Sequence, residues 1–194
     1  MQVDWNPPEP RAGLAGQWDR FMGPGLRPAE FWLILLPSLA MTAGVVVYAT
    51  TQKLGWTAVQ FLVAAFIAFD LTGGVITNAT TTAKRWYHRP GQGMKEHLGF
   101  TAVHFIHPLL VAWLFRGGDW TYFVVVYGYL MGTAVVIAWA EGGLQRPLAM
   151  LFWMGGVLIS LYAFTPTPGL EWFLPFFYAK LLVSHLVKEA PFVV

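Results

Sequence analysis

Residues 31–50 read FWLILLPSLAMTAGVVVYAT and contain no charged side chain. A helix rises about 1.5 Å per residue, so a helix of this length spans about 30 Å, the thickness of the hydrocarbon core of a bilayer. Continuous apolar runs favour helices over the alternating pattern of an outer-membrane barrel. The stretch therefore predicts a transmembrane helix.

Further apolar stretches follow this first one along the chain. Together they number six and lie at about 31–50, 56–83, 97–115, 120–140, 147–165 and 170–187. Breaks rich in Gly, Pro and charged residues separate them, as expected for loops. The pattern predicts an all-α, polytopic membrane protein in which residues 31–188 form one bundle of six transmembrane helices.

Two tails are expected to flank this bundle. Residues 1–30 mix Pro, Gly and charged residues without an apolar run, and residues 189–194 are a short C-terminal segment. The N-terminal segment lacks the contiguous apolar region of a cleavable signal peptide. We therefore predict an irregular, soluble N-terminal tail and a short C-terminal tail.

The composition also indicates a membrane-embedded chain. Hydrophobic residues make up 56% of the sequence and charged residues 11%, whereas soluble domains contain about 25% charged residues. The chain has no cysteine, which excludes disulfides, thiolate metal ligands and cysteine nucleophiles. Its net charge of +2 comes mainly from predicted loop residues, so no nucleic-acid binding is expected.

The distribution of Lys and Arg predicts that both termini are cytoplasmic. With the N-terminus inside, the outer segments hold two basic residues, Lys53 and Arg116. The inner segments then hold nine, namely Arg11, Arg20, Arg27, Lys84, Arg85, Arg89, Lys95, Arg146 and Lys188. This excess on one side follows the positive-inside rule. The expected location is the inner (plasma) membrane, with several passes.

Ionisable residues inside the predicted spans mark a candidate site. Charged groups are costly in the hydrocarbon core and usually have a function there. Helical spacing places the imidazoles of the third span on one stripe, and counting along the helices places Asp70 and His107 near the midplane. We therefore predict a polar cavity between the second, third and sixth spans that opens to the cytoplasmic side.

Each residue of this cavity has a predicted role. The expected acid/base or catalytic residues are Asp70, His104, His107 and Lys180. A divalent metal ion would be held by imidazoles of His104, His107 and His185. Substrate binding is expected from Thr77, Asn78, Lys84, Arg85 and His88, the cations facing an anionic headgroup.

Structural explanations also exist for these residues. The paired histidines could form interhelical hydrogen bonds without chemistry. Asp70 could form a purely structural ion pair with Lys180. The loop cations could serve topology alone.

Three functions are compatible with the pattern. The first is a membrane-embedded enzyme that acts on a lipid or isoprenoid-like substrate. The second is a proton-coupled small transporter, in which the same ionisable groups load and release protons. The third is a non-catalytic or pigment-binding subunit of a membrane complex. Membrane lipid is the expected partner, and a homo-oligomer or a membrane-complex partner is compatible with all three.

Overall fold

A computed structural model of the protein describes residues 2–193, and the regular structure in this range is almost entirely helical. In chain order the helices are α1 (Gly13–Met22), α2 (Pro28–Thr51), α3 (Ala58–Ala79), α4 (Thr81–Tyr87), α5 (Met94–Val103), α6 (Ile106–Leu110), α7 (Trp120–Trp139), α8 (Gly142–Leu158) and α9 (Phe173–Tyr178). Three of these helices, α6, α8 and α9, continue as π-helix over Val111–Phe115, Ile159–Ala163 and Ala179–His185.

Helices of membrane-spanning length dominate the structure. By length and composition, 5 helical segments could cross a membrane, and they run over Pro28–Thr51, Ala58–Ala79, Met94–Phe115, Trp120–Trp139 and Gly142–Ala163. They coincide with the first five predicted spans. The prediction of a multi-helix, all-α membrane protein is therefore confirmed at this level.

The predicted sixth span, 170–187, corresponds to a shorter helix. Helix α9 and its π-helical continuation cover Phe173–His185, which is about 20 Å of helix. The helix packs against α3, α7 and α8, and its side chains at Phe173, Phe177 and Tyr178 are fully buried. Six crossings remain a prediction, because this central helix is shorter than the five segments that are long enough to cross a membrane.

Close packing around α9 depends on a glycine of α8. A Cβ atom placed on Gly156 would lie 2.3 Å from Cδ2 of Tyr178. The Tyr178 hydroxyl in turn donates a hydrogen bond to the carbonyl oxygen of Val126 on α7, at 3.1 Å. One aromatic side chain therefore ties α9 to both neighbouring helices, as small residues permit at membrane helix interfaces.

The third predicted span is not a continuous helix, because it breaks at His104 and Phe105 between α5 and α6. Pro108 has no N–H, so the carbonyl of His104 lacks its ordinary partner four residues later. That carbonyl instead accepts from the backbone N–H of His107, at 3.1 Å. The tightened turn keeps His104 and His107 side by side, and their rings stack on each other.

The N-terminal segment is ordered, and the prediction of an irregular tail was wrong for residues 13–22. Helix α1 packs its Gly16, Asp19 and Met22 face against the protein and ends at Gly23, whose φ is 94°. Two α4 side chains then bind the last carbonyls of α1. The indole N–H of Trp86 donates to Arg20 at 2.9 Å, and the Tyr87 hydroxyl donates to Phe21 at 2.8 Å.

The two ends of the described chain lie together. Strand β1 (Gln2–Val3) pairs antiparallel with strand β2 (Phe192–Val193). An ion pair between Arg85 and Asp4, at 2.5 Å, fixes the first residues to α4. The two predicted tails therefore form one small cap beside α4; Met1 and Val194 lie outside the described residues.

Candidate functional site

Three of the predicted catalytic residues meet inside the bundle. Nζ of Lys180 lies 2.5 Å from Oδ2 of Asp70, and Nε2 of His107 lies 2.9 Å from the same oxygen. Asp70 comes from α3, His107 from α6, and Lys180 from the π-helical continuation of α9. We call these three residues the Asp70 triad. The predicted meeting of the second, third and sixth apolar stretches is present in the structure.

The members of the triad differ in exposure. The Lys180 and His107 side chains are 4% and 6% exposed, whereas the Asp70 side chain is 26% exposed. Both partners bind Oδ2, so the second carboxylate oxygen, Oδ1, is left free of them. The Asp70 carboxylate is therefore partly exposed while both of its partners are covered.

Space for the lysine comes from a glycine on α3. A Cβ atom on Gly74 would lie 2.3 Å from Cε and 2.9 Å from Nζ of Lys180. Any larger residue at position 74 would therefore occupy the volume of the lysine side chain. Gly74 lies one helical turn after Asp70, so the same face of α3 supplies both the carboxylate and the room for its cation.

His104 lies beside the triad and does not bind its carboxylate. Nδ1 of His104 lies 2.7 Å from the carbonyl oxygen of Phe100. A carbonyl only accepts, so Nδ1 carries the proton and Nε2 of the neutral ring keeps a lone pair. The His104 and His107 rings stack with centroids 5.3 Å apart and an interplanar angle of 13°. A basic nitrogen is therefore placed next to the triad.

The two nitrogens of His107 both face oxygen atoms. Nε2 faces Asp70, and Nδ1 lies 3.3 Å from the carbonyl oxygen of His104. Both partners are oxygen atoms, and the carbonyl oxygen only accepts. His107 therefore links the carboxylate of Asp70 to the backbone at the break between α5 and α6.

A second group of imidazoles lies nearer the α4 end of the bundle. Nδ1 of His97 is 3.3 Å from Nε2 of His185, and the ring of His88 stacks on that of His97 with centroids 4.4 Å apart. Nε2 of His88 lies 3.0 Å from the carbonyl oxygen of His185. Nδ1 of His185 is buried and has no hydrogen-bond partner among the described residues. We call these residues the His185 group.

The predicted metal site is not supported by this arrangement. Among residues 2–193, no group of three or more His, Asp or Glu side chains is placed to hold a metal ion. The ring of Phe100 stacks on His185 at 4.0 Å and contacts His104 at 4.7 Å, measured between ring centroids. His185 therefore belongs to a different group from His104 and His107, because an aromatic ring occupies the space between them.

The loop cations predicted to bind substrate are held by the protein itself. The Lys84 ammonium donates to the carbonyl oxygens of Ser184 and Val187, both at 2.6 Å, and lies 3.7 Å from Glu189. Burial lowers the pKa of Lys84 to about 8, while the nearby Glu189 acts in the opposite direction. The ammonium satisfies carbonyls at the end of α9 that the helix itself leaves open. Its role in substrate binding remains a prediction.

Similar observations apply to the other predicted substrate residues. Arg85 binds Asp4 and the carbonyl of Asn6. Thr77 and Asn78 are buried near the end of α3, where Nδ2 of Asn78 has no partner within residues 2–193. The structure brings none of these three side chains to the Asp70 triad through a direct hydrogen bond in the described range. Their assignment to substrate binding stays a prediction.

A small polar cavity of about 170 Å³ borders the His185 group, and His88 lines it. Its other lining residues are Gln92, Gly93, Met94, His97, Ala138, Gln145, Leu186 and Lys188. His97 was not among the predicted site residues. Its position seven residues before His104, on the predicted stripe, was the available signal.

We expect His88 to make the folded protein sensitive to acid. Burial, followed by repulsion from His97 and Lys84, lowers the pKa of His88 from 6.5 to about 3. Between these values the unfolded chain binds a proton that the folded chain does not, so stability is lost as pH falls from 6.5 toward 3. The slope for one proton is at most about 1.4 kcal/mol per pH unit.

Urea titrations of the detergent-solubilised protein at several pH values would measure this slope. The variant His88→Gln should have a shallower pH dependence across the same window, with little change above pH 7. An unchanged slope in the variant would mean that His88 already binds its proton in the folded protein.

Comparison of the chain with protein-family models, with curated proteins and with solved structures found no match. The function must therefore be argued from the site itself.

Proposed function

We propose that this protein is a membrane-embedded enzyme that uses the Asp70 triad for acid/base chemistry on a lipid or isoprenoid-like substrate. One observation carries the proposal: the carboxylate of Asp70 is 26% exposed while its two partners are 6% and 4% exposed. A purely structural ion pair in a bundle would gain from being covered completely, because charge at a lipid-facing surface is costly. A carboxylate oxygen left open can reach a substrate.

The triad contains the parts that proton transfer needs. Oδ1 of Asp70 is the accessible base, and Lys180 stabilises the negative charge beside it. The His107 ring holds the other carboxylate oxygen, Oδ2, in place, and the lone pair on Nε2 of His104 lies on the neighbouring ring. General acid/base catalysis of this kind contributes about 10²- to 10⁴-fold to a rate.

The surroundings of Asp70 favour a substrate that arrives from the bilayer. Phe66 and Phe69 on α3 and Val103 on α5 are exposed, as lipid-facing residues are. The ring of Phe66 also stacks on His107, with centroids 6.4 Å apart. An amphipathic molecule could therefore approach Oδ1 sideways from the lipid phase, which a water-soluble substrate could not do easily.

We further propose six crossings with both termini on the cytoplasmic side of an inner membrane. The pairing of β1 with β2 supports this, because chain ends that pair must lie on one side of the membrane. Such ends require an even number of crossings, and α9 then supplies the sixth beside the five long segments. The excess of basic residues on the α4 side supports a cytoplasmic assignment for that side.

A proton-coupled carrier is the second candidate, and the succession of imidazoles favours it. Two histidines adjoin Asp70, and the His185 group continues toward the α4 end of the bundle. Protons could pass along such a series between the surface and a buried carboxylate. The ring of Phe100, which separates the two groups, weakens a continuous path.

The enzyme proposal can be tested with lipids in heavy water. Purified protein would be incubated in D₂O with vesicles of a bacterial total lipid extract and the lipids analysed by mass spectrometry. We expect one lipid class to change mass or to take up deuterium with the wild type. Asp70→Asn should lower this rate by at least about 10²-fold, whereas Glu171→Gln, at an exposed position, should retain it.

Two results would decide against the enzyme. Equal rates for wild type and Asp70→Asn would remove the carboxylate from the chemistry. Unchanged lipids combined with a proton flux into vesicles that depends on Asp70 would favour the carrier.

A further inference from the structure

Helix α1 has three distinct faces. Gly16 and the side chains of Asp19 and Met22 are buried against the protein. Leu14, Trp18 and Phe21 are 90%, 44% and 64% exposed, and their spacing of four and three residues places them on one stripe. At 100° per residue, Arg20 lies about 120° round the helix from Leu14, so a polar face borders the apolar one.

Exposed apolar stripes need an explanation, because soluble surfaces rarely keep large apolar side chains together. The surroundings of Trp18 indicate the explanation. Trp18 lines an open cleft of about 570 Å³ together with Phe31 and Trp32. Those two residues lie in the first turn of α2, the first helix of membrane-spanning length. The apolar face of α1 therefore lies at the level where α2 enters the bilayer.

The position of α1 along the chain supports the same placement. Its end at Met22 and the start of α2 at Pro28 are separated by a short link. Glu30 of α2 accepts a hydrogen bond from the Thr82 hydroxyl of α4, at 2.8 Å, so α1, α2 and α4 form one unit. The helix cannot move far from the membrane surface without breaking this unit.

We infer that α1 is an interfacial helix whose Leu14, Trp18 and Phe21 lie among the lipids of the bilayer surface. Amphipathic helices of this kind lie in the membrane plane with the apolar face about 5–10 Å below the headgroups. Tryptophan is favoured at this depth. Arg20, which is exposed on the bordering polar face, places positive charge beside the same surface and suits anionic headgroups, whereas Arg11 and Arg27 are paired with Asp19 and Glu30.

This assignment gives the helix a mechanical role in the fold. Trp86 and Tyr87 bind the last carbonyls of α1, and the same short helix carries Lys84, which holds the end of α9. A helix anchored in lipid would thus fix α4 against the surface. The inference does not depend on the chemistry proposed for Asp70.

The absence of cysteine from the sequence makes a direct test clean. Single variants Leu14→Cys, Phe21→Cys and Arg20→Cys of the full chain would carry a nitroxide label in vesicles containing phosphatidylglycerol. Power-saturation spectroscopy would compare collisions with oxygen, which concentrates in lipid, and with a water-soluble nickel chelate. We expect labels at 14 and 21 to favour oxygen at least threefold more than the label at 20.

Other outcomes would overturn the inference. Labels at 14 and 21 that collide freely with the nickel chelate would place the stripe in water. Labels protected from both reagents, with dipolar broadening between molecules, would mean that a second copy of the chain covers the stripe. A label at position 20 that matches positions 14 and 21 would show that α1 has no preferred orientation.

Discussion

Replacing Asp70 by Asn is expected to destabilise the protein by about 3–5 kcal/mol, because it leaves the buried Lys180 ammonium without its counter-ion. The ammonium lies 2.5 Å from the carboxylate and its side chain is 4% exposed, so water cannot replace the lost partner. Lys180→Met should cost less, because the Asp70 carboxylate is partly exposed and keeps His107. Unfolding in mixed detergent and dodecyl sulfate micelles would measure both values.

The double variant Asp70→Asn/Lys180→Met separates a structural pair from a reactive one. Removing both charges together should recover most of the stability, since no uncompensated charge remains. If the pair served only the fold, the double variant would also recover function. We expect it to fold and yet to remain inactive in the D₂O experiment, because the base is gone. A folded and active double variant would contradict the role proposed for Asp70.

A second ion pair offers a matched control for the pair between Asp70 and Lys180. Arg116 and Asp119 form an ion pair at 2.9 Å just before α7, where the arginine also donates to the carbonyl of Thr165 and the hydroxyl of Thr167 and so keeps partners without the carboxylate. Asp119→Asn should cost less than Asp70→Asn, because the asparagine oxygen can still accept from the Tyr122 N–H that Asp119 caps at the start of α7. A cap of this type is worth about 1 kcal/mol.

Hydrophobic runs and loop signals were sufficient to predict most of the bundle. Long apolar segments must cross a bilayer as helices because their backbone groups need internal partners, so five spans follow from the sequence. Helix α9 differs because it is enclosed by other helices, and an apolar run that faces protein looks the same in sequence as one that faces lipid. The helix at residues 13–22 was missed because its alternation of Gly, Ala and charge hides a stripe of only three large residues.

Part of the candidate site could also be predicted from the sequence. Counting residues along the predicted spans placed Asp70 and His107 at one level near the midplane, since helical rise is nearly constant, and the structure joins both residues and Lys180 at one carboxylate oxygen. His185 contacts His97 instead of the paired histidines, and it lies on a π-helical segment, where the rotation per residue differs from that of the α-helix assumed in the prediction. The contact between the Lys84 ammonium and the carbonyl oxygens at the end of α9 joins residues far apart in the chain. Sequence periodicity predicts contacts along one helix and gives no information about this one.

Gly74→Ala is expected to disrupt the Asp70 triad, although residue 74 itself contributes no functional group. Alanine normally stabilises a helix by about 1 kcal/mol relative to glycine. Here its Cβ would stand 2.3 Å from Cε of Lys180, a side chain already held by Asp70 and almost fully buried. Overpacking of this kind costs about 1–3 kcal/mol, so the net effect should be a loss of stability together with displacement of the ammonium from the carboxylate.

Gly132→Ala on α7 is the matched control, because a Cβ there meets no atom within 4 Å. It should raise stability by up to about 1 kcal/mol, so the two identical substitutions should have effects of opposite sign. Unfolding measurements would compare them, and the D₂O experiment would show loss of activity for Gly74→Ala alone. If Gly74→Ala were stable and active, Lys180 could leave its place without consequence. The ammonium would then be dispensable, and Asp70 would have to act through His107 alone.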